Sequence, residues 1–427
     1  MNTMRKALIS VIVFSSFGLQ AMTFDQLSET LDEAKQVIDC RSSNFYNGWP
    51  EAGSKLGGHY PNAVNFDAQW LDRIDASALN QLLVEKQLNA DKPTYLYCDQ
   101  AASKKMVTAL ADQGFTSVSV IEEPLSNYSG SLTALPKFQQ LVGPEWLKQV
   151  IDGQQPLYAP QTDYKLVEVA WGPPTKYLVS HIPTAQYLNT NNIETKPLWN
   201  RVSNEQLTAL LQDLGIRYDT TVILYGRNNM AAARAASIMM YAGVEDVRLL
   251  NGGWTAWVGA GFTSEPMLQT AEKVADFGRD IPANPELIID IAEAKAILDG
   301  SPKTNSLVSI RTWDEYLGKI SGYSYIKPKG RIPGAKWGHG GSDANSLEDF
   351  RNPDETMKSA DEIEHFWHQW EIDRNQKVSF YCGTGWRASE TFFYAYVMGW
   401  KDISVYDGGW YEWSGIKTNP TLIGPMS

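Results

Sequence analysis

A stretch in the last third of the chain recurs earlier with its spacing intact, and that recurrence limits the folds open to it. Cys382, after the apolar run Ser379-Phe380-Tyr381, is followed by Gly399 17 residues on and by Gly408 26 residues on. Gly226, after Val222 to Tyr225, is followed by Gly243 and Gly252 at the same 17 and 26. A third copy places Cys98 after Tyr95-Leu96-Tyr97 and Gly114 16 residues later, but ends in Glu122-Glu123-Pro124 where the others end in Gly-Gly-Trp. Recurrence at this length means one supersecondary plan used three times.

Each copy reads as strand, tight turn, helix, strand. Phe392, Phe393, Tyr396 and Val397 fall at helical spacing before Gly399, and Ile403 to Tyr406 reads as the next strand, which makes half of a parallel α/β unit. A second recurring pair lies upstream: Ile38 to Arg41 before Gly58 to Ala63, Val167 to Val169 before His181 to Ala185, and Val308 to Arg311 before Gly330 to Ala335. Pro61, Pro183 and Pro333 precede the loop position by 37, 43 and 49 residues, so the last unit carries the longest insertion. Insertions on one face of such a unit commonly build the site. Segments 124–144 and 259–285, rich in small residues and proline, are the natural boundaries. Domains are expected at 22–140, 141–262 and 283–427, and a chain of 427 residues is long enough for them.

The loop of the last copy, Cys382-Gly383-Thr384-Gly385-Trp386-Arg387, carries chemistry. Two glycines let the backbone curl until successive N–H groups converge, and a helix amino end adds a favourable field, so an anion should bind there. The same field, with Arg387, favours a thiolate, the nucleophilic form of cysteine. Cys382 is therefore placed to attack something anionic. The bland reading is a buried, inert thiol on a glycine turn.

Composition excludes other classes. The formal charge of −12 argues against nucleic acid and acidic membrane surfaces as partners, and no phosphate-loop or dinucleotide fingerprint is present. His365 and His368 sit at helical spacing without a third ligand in sight, and His339 could line the site but reads more readily as a surface-loop residue. No metal and no cofactor are expected. Residues 1–21, with Arg5 and Lys6 before the mainly apolar run Ala7 to Leu19, have the pattern of a secretory signal peptide, which implies a periplasmic or secreted protein with no membrane anchor after cleavage. In an oxidising compartment three cysteines suggest one bridge and one free thiol. Cys40 and Cys98 could pair if their strands are neighbours, but strand-end positions rarely meet disulfide geometry, so both are expected as small buried hydrophobes.

A strand ending before an arginine, the turn Gly330-Arg331-Ile332-Pro333-Gly334-Ala335, the cysteine loop and the closing Asp407-Gly408-Gly409-Trp410 resemble the rhodanese (sulfurtransferase) family. The likeness covers nearly all of the chain after the leader as three tandem domains and is similar to the exported three-domain thiosulfate sulfurtransferases of bacteria. It implies an α/β fold of three rhodanese-like domains, each a small, mostly parallel sheet flanked by helices. Only the third domain looks competent: the first lacks the loop glycines and arginine, and the second has Gly226 and Ala231 where cysteine and arginine should be. Four residues separate Cys382 from Arg387, the short loop that the family uses for sulfur; the related phosphatases and arsenate reductases enclose five.

The resemblance implies a double displacement. Cys382 takes the outer sulfur of a small anionic donor, and the persulfide passes it to cyanide or a thiol. Gly383, Thr384, Gly385, Trp386 and Arg387 would bind the donor, with Arg311 and Arg331 as further anion contacts and Trp410 as a wall. Lys327, Lys329 and Lys336 are candidates of the same kind, and Arg311 reads equally as a structural salt bridge. Thiosulfate is the favoured donor because Arg387 suits a dianion, whereas Gly383-Thr384-Gly385 also resembles mercaptopyruvate enzymes. The alternative is a sulfur carrier with little turnover.

Overall fold

The computed structural model describes residues 22–29 and 35–425; the expected leader lies outside them. Three parallel sheets follow one another along the chain. The first orders β1 (Gln36–Asp39), β2 (Val64–Asn65), β3 (Thr94–Tyr97) and β4 (Val118–Val120) as β2-β1-β3-β4. The second contains β5 (Leu141–Val142), β6 (Tyr164–Ala170), β7 (Gln186–Asn189), β10 (Thr221–Tyr225) and β11 (Asp246–Leu250) in the order β5-β11-β10-β6-β7. A small antiparallel ribbon, β8 (Glu194–Thr195) and β9 (Asn200–Arg201), is inserted between β7 and β10. The third, from β12 (Ile288–Ile289), β13 (Asn305–Ser309), β14 (Lys336–Trp337), β15 (Lys377–Tyr381) and β16 (Ile403–Tyr406), repeats that order as β12-β16-β15-β13-β14. The first sheet is the same arrangement without its outer strand, and every pairing within the three is parallel. This is the expected α/β fold of three like domains.

Cys40 and Cys98 are bridged, contrary to the expectation of two unpaired buried hydrophobes. β1 and β3 are neighbours, paired from Gln36 with Thr94 to Asp39 with Tyr97, and the cysteines that follow them form a disulfide across a Cα separation of 5.3 Å. Adjacent parallel strands bring equivalent end positions within bridging reach, which the sequence could not decide without the strand order.

The second and third domains share one apolar core. The helix Asn229–Ala242 is buried along its whole length, and its alanines at 231–233, 235 and 236 allow close packing against the helix Trp386–Val397, where Ser237 Oγ donates to Ser389 Oγ at 3.0 Å. The first domain has its own core and is joined through both apolar and polar contacts: Trp49 enters the second domain's apolar cluster beside Trp146. Lys86, fully buried, meets Glu362 of the third domain at 2.9 Å, and Asn251 of the second donates to Asn44 Oδ1 at 3.1 Å. Among the described residues no helix is long and apolar enough to cross a membrane.

Candidate active site

The strand order puts a crevice at the carboxyl ends of β13 and β15. The chain leaves β13 toward β14 on one side and β15 toward β16 on the other, and side chains at such a switch point converge on the gap. Cys382 is the first residue after β15, and Ile310-Arg311 follow β13. Cys382 is fully buried and is the free cysteine among the described residues.

The loop is held from below by the turn that recurred with it. Trp410 N–H donates to Cys382 O at 2.8 Å and Tyr411 N–H to Gly383 O at 3.0 Å. Gly409 has φ +56°, and a Cβ there would lie 2.7 Å from both Cys382 O and Thr384 O. Only glycine fits that approach. The second domain keeps the same bond, Trp254 N–H to Gly226 O at 3.1 Å, so the turn serves the scaffold as well as the site. The amides from Gly383 to Arg387 donate to no backbone carbonyl among the described residues, and the helix Trp386–Val397 starts within them, so unsatisfied N–H groups and the positive end of a helix dipole lie in the loop. In the second domain Asn229 Oδ1 accepts from Gly226 N–H at 3.2 Å and so fills its own loop.

Behind the loop two cations share one carboxylate. Arg387, fully buried, donates from Nη1 to Glu315 Oε2 at 2.8 Å and from Nη2 to Glu315 Oε1 at 2.9 Å, a bidentate pair. Arg311 Nε reaches the same carboxylate at 3.4 Å, its Nη1 donates to Gly330 O at 2.8 Å, and its guanidinium lies 5.0 Å from the Trp410 ring centroid. Burial alone would raise the Glu315 pKa, but the two guanidiniums outweigh it and hold it at about 2. A net positive charge therefore stays buried beside Cys382, where low polarisability makes it effective.

The third domain also lacks an acid that both degenerate copies keep. In the first, Tyr97 Oη donates to Asp39 Oδ2 at 2.9 Å; in the second, Tyr225 Oη donates to Glu168 Oε2 at 2.8 Å. In the third, the residue paired with Tyr381 is Ser309. No carboxylate stands at that position in the third domain.

A model of the rhodanese-like domain matches residues 23–131, 144–260 and 290–416. The chain belongs to the rhodanese-like, sulfurtransferase family and carries three of its domains. It is 51% identical over 406 residues to the thiosulfate sulfurtransferase YnjE of Escherichia coli K12, covering 94% of this chain and 92% of that protein. The crystal structure of YnjE superposes with a TM-score of 0.91 at 50% identity, covering 95% of this chain and 96% of that one. A structure of an EanB variant with a persulfide on its cysteine, in a tetrahedral intermediate state with ergothioneine, gives 0.90 at 37% identity, covering 95% of this chain and 100% of that one. The sulfur carrier protein TtuD of Thermus thermophilus is 31% identical over 263 residues, 58% of this chain and 87% of that protein.

Within this rhodanese site the residues singled out from sequence have different surroundings. Gly383, Thr384 and Gly385 form the loop with Cys382; Trp386 flanks it and donates from Nε1 to Glu194 Oε1 of the second domain at 2.8 Å. Trp410 is buried beneath, donating to Pro328 O at 3.1 Å. Arg331 turns away to Gly424 O at 2.6 Å, and Lys327, Lys329 and Lys336 donate to backbone carbonyls. The structural salt bridge considered for Arg311 is present.

Sequence reasoning missed the tyrosines and the second domain's contribution. Tyr323, from the segment between Arg311 and Gly330, covers Gly383, where an added Cβ would lie 2.0 Å from its ring, and its hydroxyl accepts from Arg387 Nη2 at 3.1 Å. Burial raises its pKa, and Tyr325 beside it is pushed up to about 12 by burial and by the neighbouring Cys382 and Glu194, so both are neutral donors at ordinary pH. Tyr411 completes the aromatic wall, 5.6 Å from Tyr325 between ring centroids. Arg234 of the second domain stands against the loop, 2.8 Å from the place of a Cβ on Gly385. The tyrosines precede Pro333, in a segment whose length from Arg311 to Pro333, 22 residues, nearly equals the 20 from Arg41 to Pro61, so spacing gave no signal for them, and Glu194 and Arg234 gave none.

Proposed function

We propose that the third domain transfers sulfane sulfur from thiosulfate to cyanide or a thiol through a persulfide on Cys382, and that the first two domains are silent in this sulfur transfer. The observation that carries this reading is the pair of buried guanidiniums on one carboxylate behind a loop of unpaired amides, with Ser309 where an acid would oppose the charge. The thiolate attacks the outer sulfur, the sulfur–sulfur bond of the donor breaks, and sulfite leaves with the electron pair. The terminal persulfide sulfur, negatively charged, is stabilised by the loop amides. Cyanide attacks that sulfur, thiocyanate departs, and the Cys382 thiolate returns. The nest and the fixed positive charge favour a dianion over mercaptopyruvate, and YnjE's name points the same way.

The test is thiocyanate formation from cyanide with each donor. Turnover with thiosulfate at least as fast as with mercaptopyruvate, and its loss in Cys382→Ser, is the expected result. Intact turnover in that variant rejects the assignment, and a preference for mercaptopyruvate reassigns the donor.

A second reading, a carrier that stores sulfur with little turnover, draws support from the full burial of Cys382 and the likeness to TtuD. A persulfide that forms stoichiometrically and persists against cyanide and thiols would favour it. The chain is further proposed to act outside the cytoplasm, for which the Cys40–Cys98 bridge gives support; recovery in the periplasmic fraction of a bacterial host tests this.

A further inference from the structure

The disulfide of the first domain occupies that domain's own crevice. Cys98 directly follows β3 and Cys40 directly follows β1, the positions that Cys382 and Ile310 take after β15 and β13 in the third domain. The two sulfurs have unequal surroundings. Cys40 is 2% exposed behind the bridge, whereas Cys98 is partly exposed at the amino end of the 13-residue helix Gln100–Asp112. Ser103 Oγ lies 3.5 Å from Cys98 Sγ, within reach to donate to a thiolate there. Asp99 caps that helix, accepting from Ala101 and Ala102 N–H, so the accessible sulfur and the Ser103 hydroxyl are the distinguishing features, and a bridge that only restrains the unfolded chain needs neither.

We propose that the first domain carries a thiol–disulfide exchange centre, with Cys98 the sulfur attacked by a low-molecular-weight thiol and Cys40 the leaving sulfur. A thiolate must approach along the sulfur–sulfur axis from the side away from the leaving group, and with Cys40 inside, that approach to Cys98 comes from solvent. The new bond joins the incoming sulfur to Cys98, the Cys40–Cys98 bond breaks, and Cys40 leaves as a thiolate and takes a proton. A second thiolate attacks the small-molecule sulfur of this mixed disulfide and frees Cys98. Two thiols are oxidised to one small disulfide while the protein bridge is reduced to two thiols, and the reverse sequence oxidises the pair again. The fold thus uses one crevice twice, for sulfur transfer at Cys382 and for electron transfer at Cys98.

The experiment uses the full chain carrying Cys382→Ser, so that its outcome is independent of persulfide chemistry. The folded protein is treated with excess reduced glutathione, quenched with acid, and mapped by mass spectrometry. The expected result is loss of the bridge without unfolding and a glutathione adduct on Cys98. Adding Cys40→Ser should leave a Cys98 thiol that reacts with a maleimide at least about tenfold faster than the Cys40 thiol left by Cys98→Ser. Should either double variant fail to fold, the glutathione mapping on the Cys382→Ser chain decides alone. A bridge that yields to glutathione only after denaturation, or an adduct on Cys40, overturns the proposal and leaves a purely structural staple.

Discussion

Arg234 of the second domain and Asp407 of the third meet at 2.5 Å across the domain boundary, next to the loop that carries Cys382. Arg234 also reaches Glu194 at 3.2 Å, and Glu194 in turn accepts from Trp386 Nε1. A domain without a loop cysteine thus supplies part of the scaffold around another domain's cysteine. Removing one partner from such a buried network leaves uncompensated charge, at a cost of about 3 to 5 kcal/mol. Arg234→Met should lower stability to denaturant by that order and reduce sulfur transfer, because Glu194 and Asp407 would be left facing each other beside Trp386. Unchanged stability and turnover would show that the second domain is dispensable to the site.

Glu315 gives a pH dependence with a definite sign. Its pKa of about 2 lies below the ordinary 4.5, so the ion pair contributes stability that is fully present above about pH 4.5 and is lost as pH falls toward 2. The contribution is on the order of 3 kcal/mol. Denaturant titrations at a series of pH values should show this loss in the native chain, and Glu315→Gln should be less stable at neutral pH with a flatter acid limb. A variant that kept the native slope would place the acid sensitivity elsewhere.

Tyr323 sits over Gly383, so the loop glycine can be tested without touching the thiol. Gly383→Ala should displace the ring and lower turnover by about 100-fold, the scale of a 1 Å misplacement, while the fold persists. Native circular dichroism with lost activity is the expected pair of readings.

Ser309 replaces the acid retained as Asp39 and Glu168 in the other two domains. Restoring it as Ser309→Asp should place negative charge under the loop and slow formation of the persulfide by on the order of tenfold. Single-turnover kinetics with thiosulfate measure that step directly.

Much of this was legible in the chain. The 17 and 26 spacings identified a repeated strand, loop and helix, and the structure returned the same strand order around each copy. Local patterns of this kind follow from backbone periodicity and glycine conformation, which short windows encode. What escaped was set by distant contacts. Whether Cys40 could reach Cys98 depended on β1 lying beside β3, and the Arg387–Glu315 pair joins residues 72 apart. Arg331 looked like an anion contact because arginine near an anion site often is; its Nη1 donates to Gly424 O. Glu194 lies in a ribbon with no motif of its own, and only the packing of two domains brings it to Trp386.

In the proposed mechanism sulfur passes through Cys382 itself. Intact-mass analysis of the folded chain after brief treatment with thiosulfate, with peptide mapping, tests this most directly. A gain of one sulfur atom on Cys382 is expected, lost on adding cyanide as an equal amount of thiocyanate appears. Thiocyanate produced with no sulfur ever borne by Cys382, or an adduct confined to another residue, would contradict it.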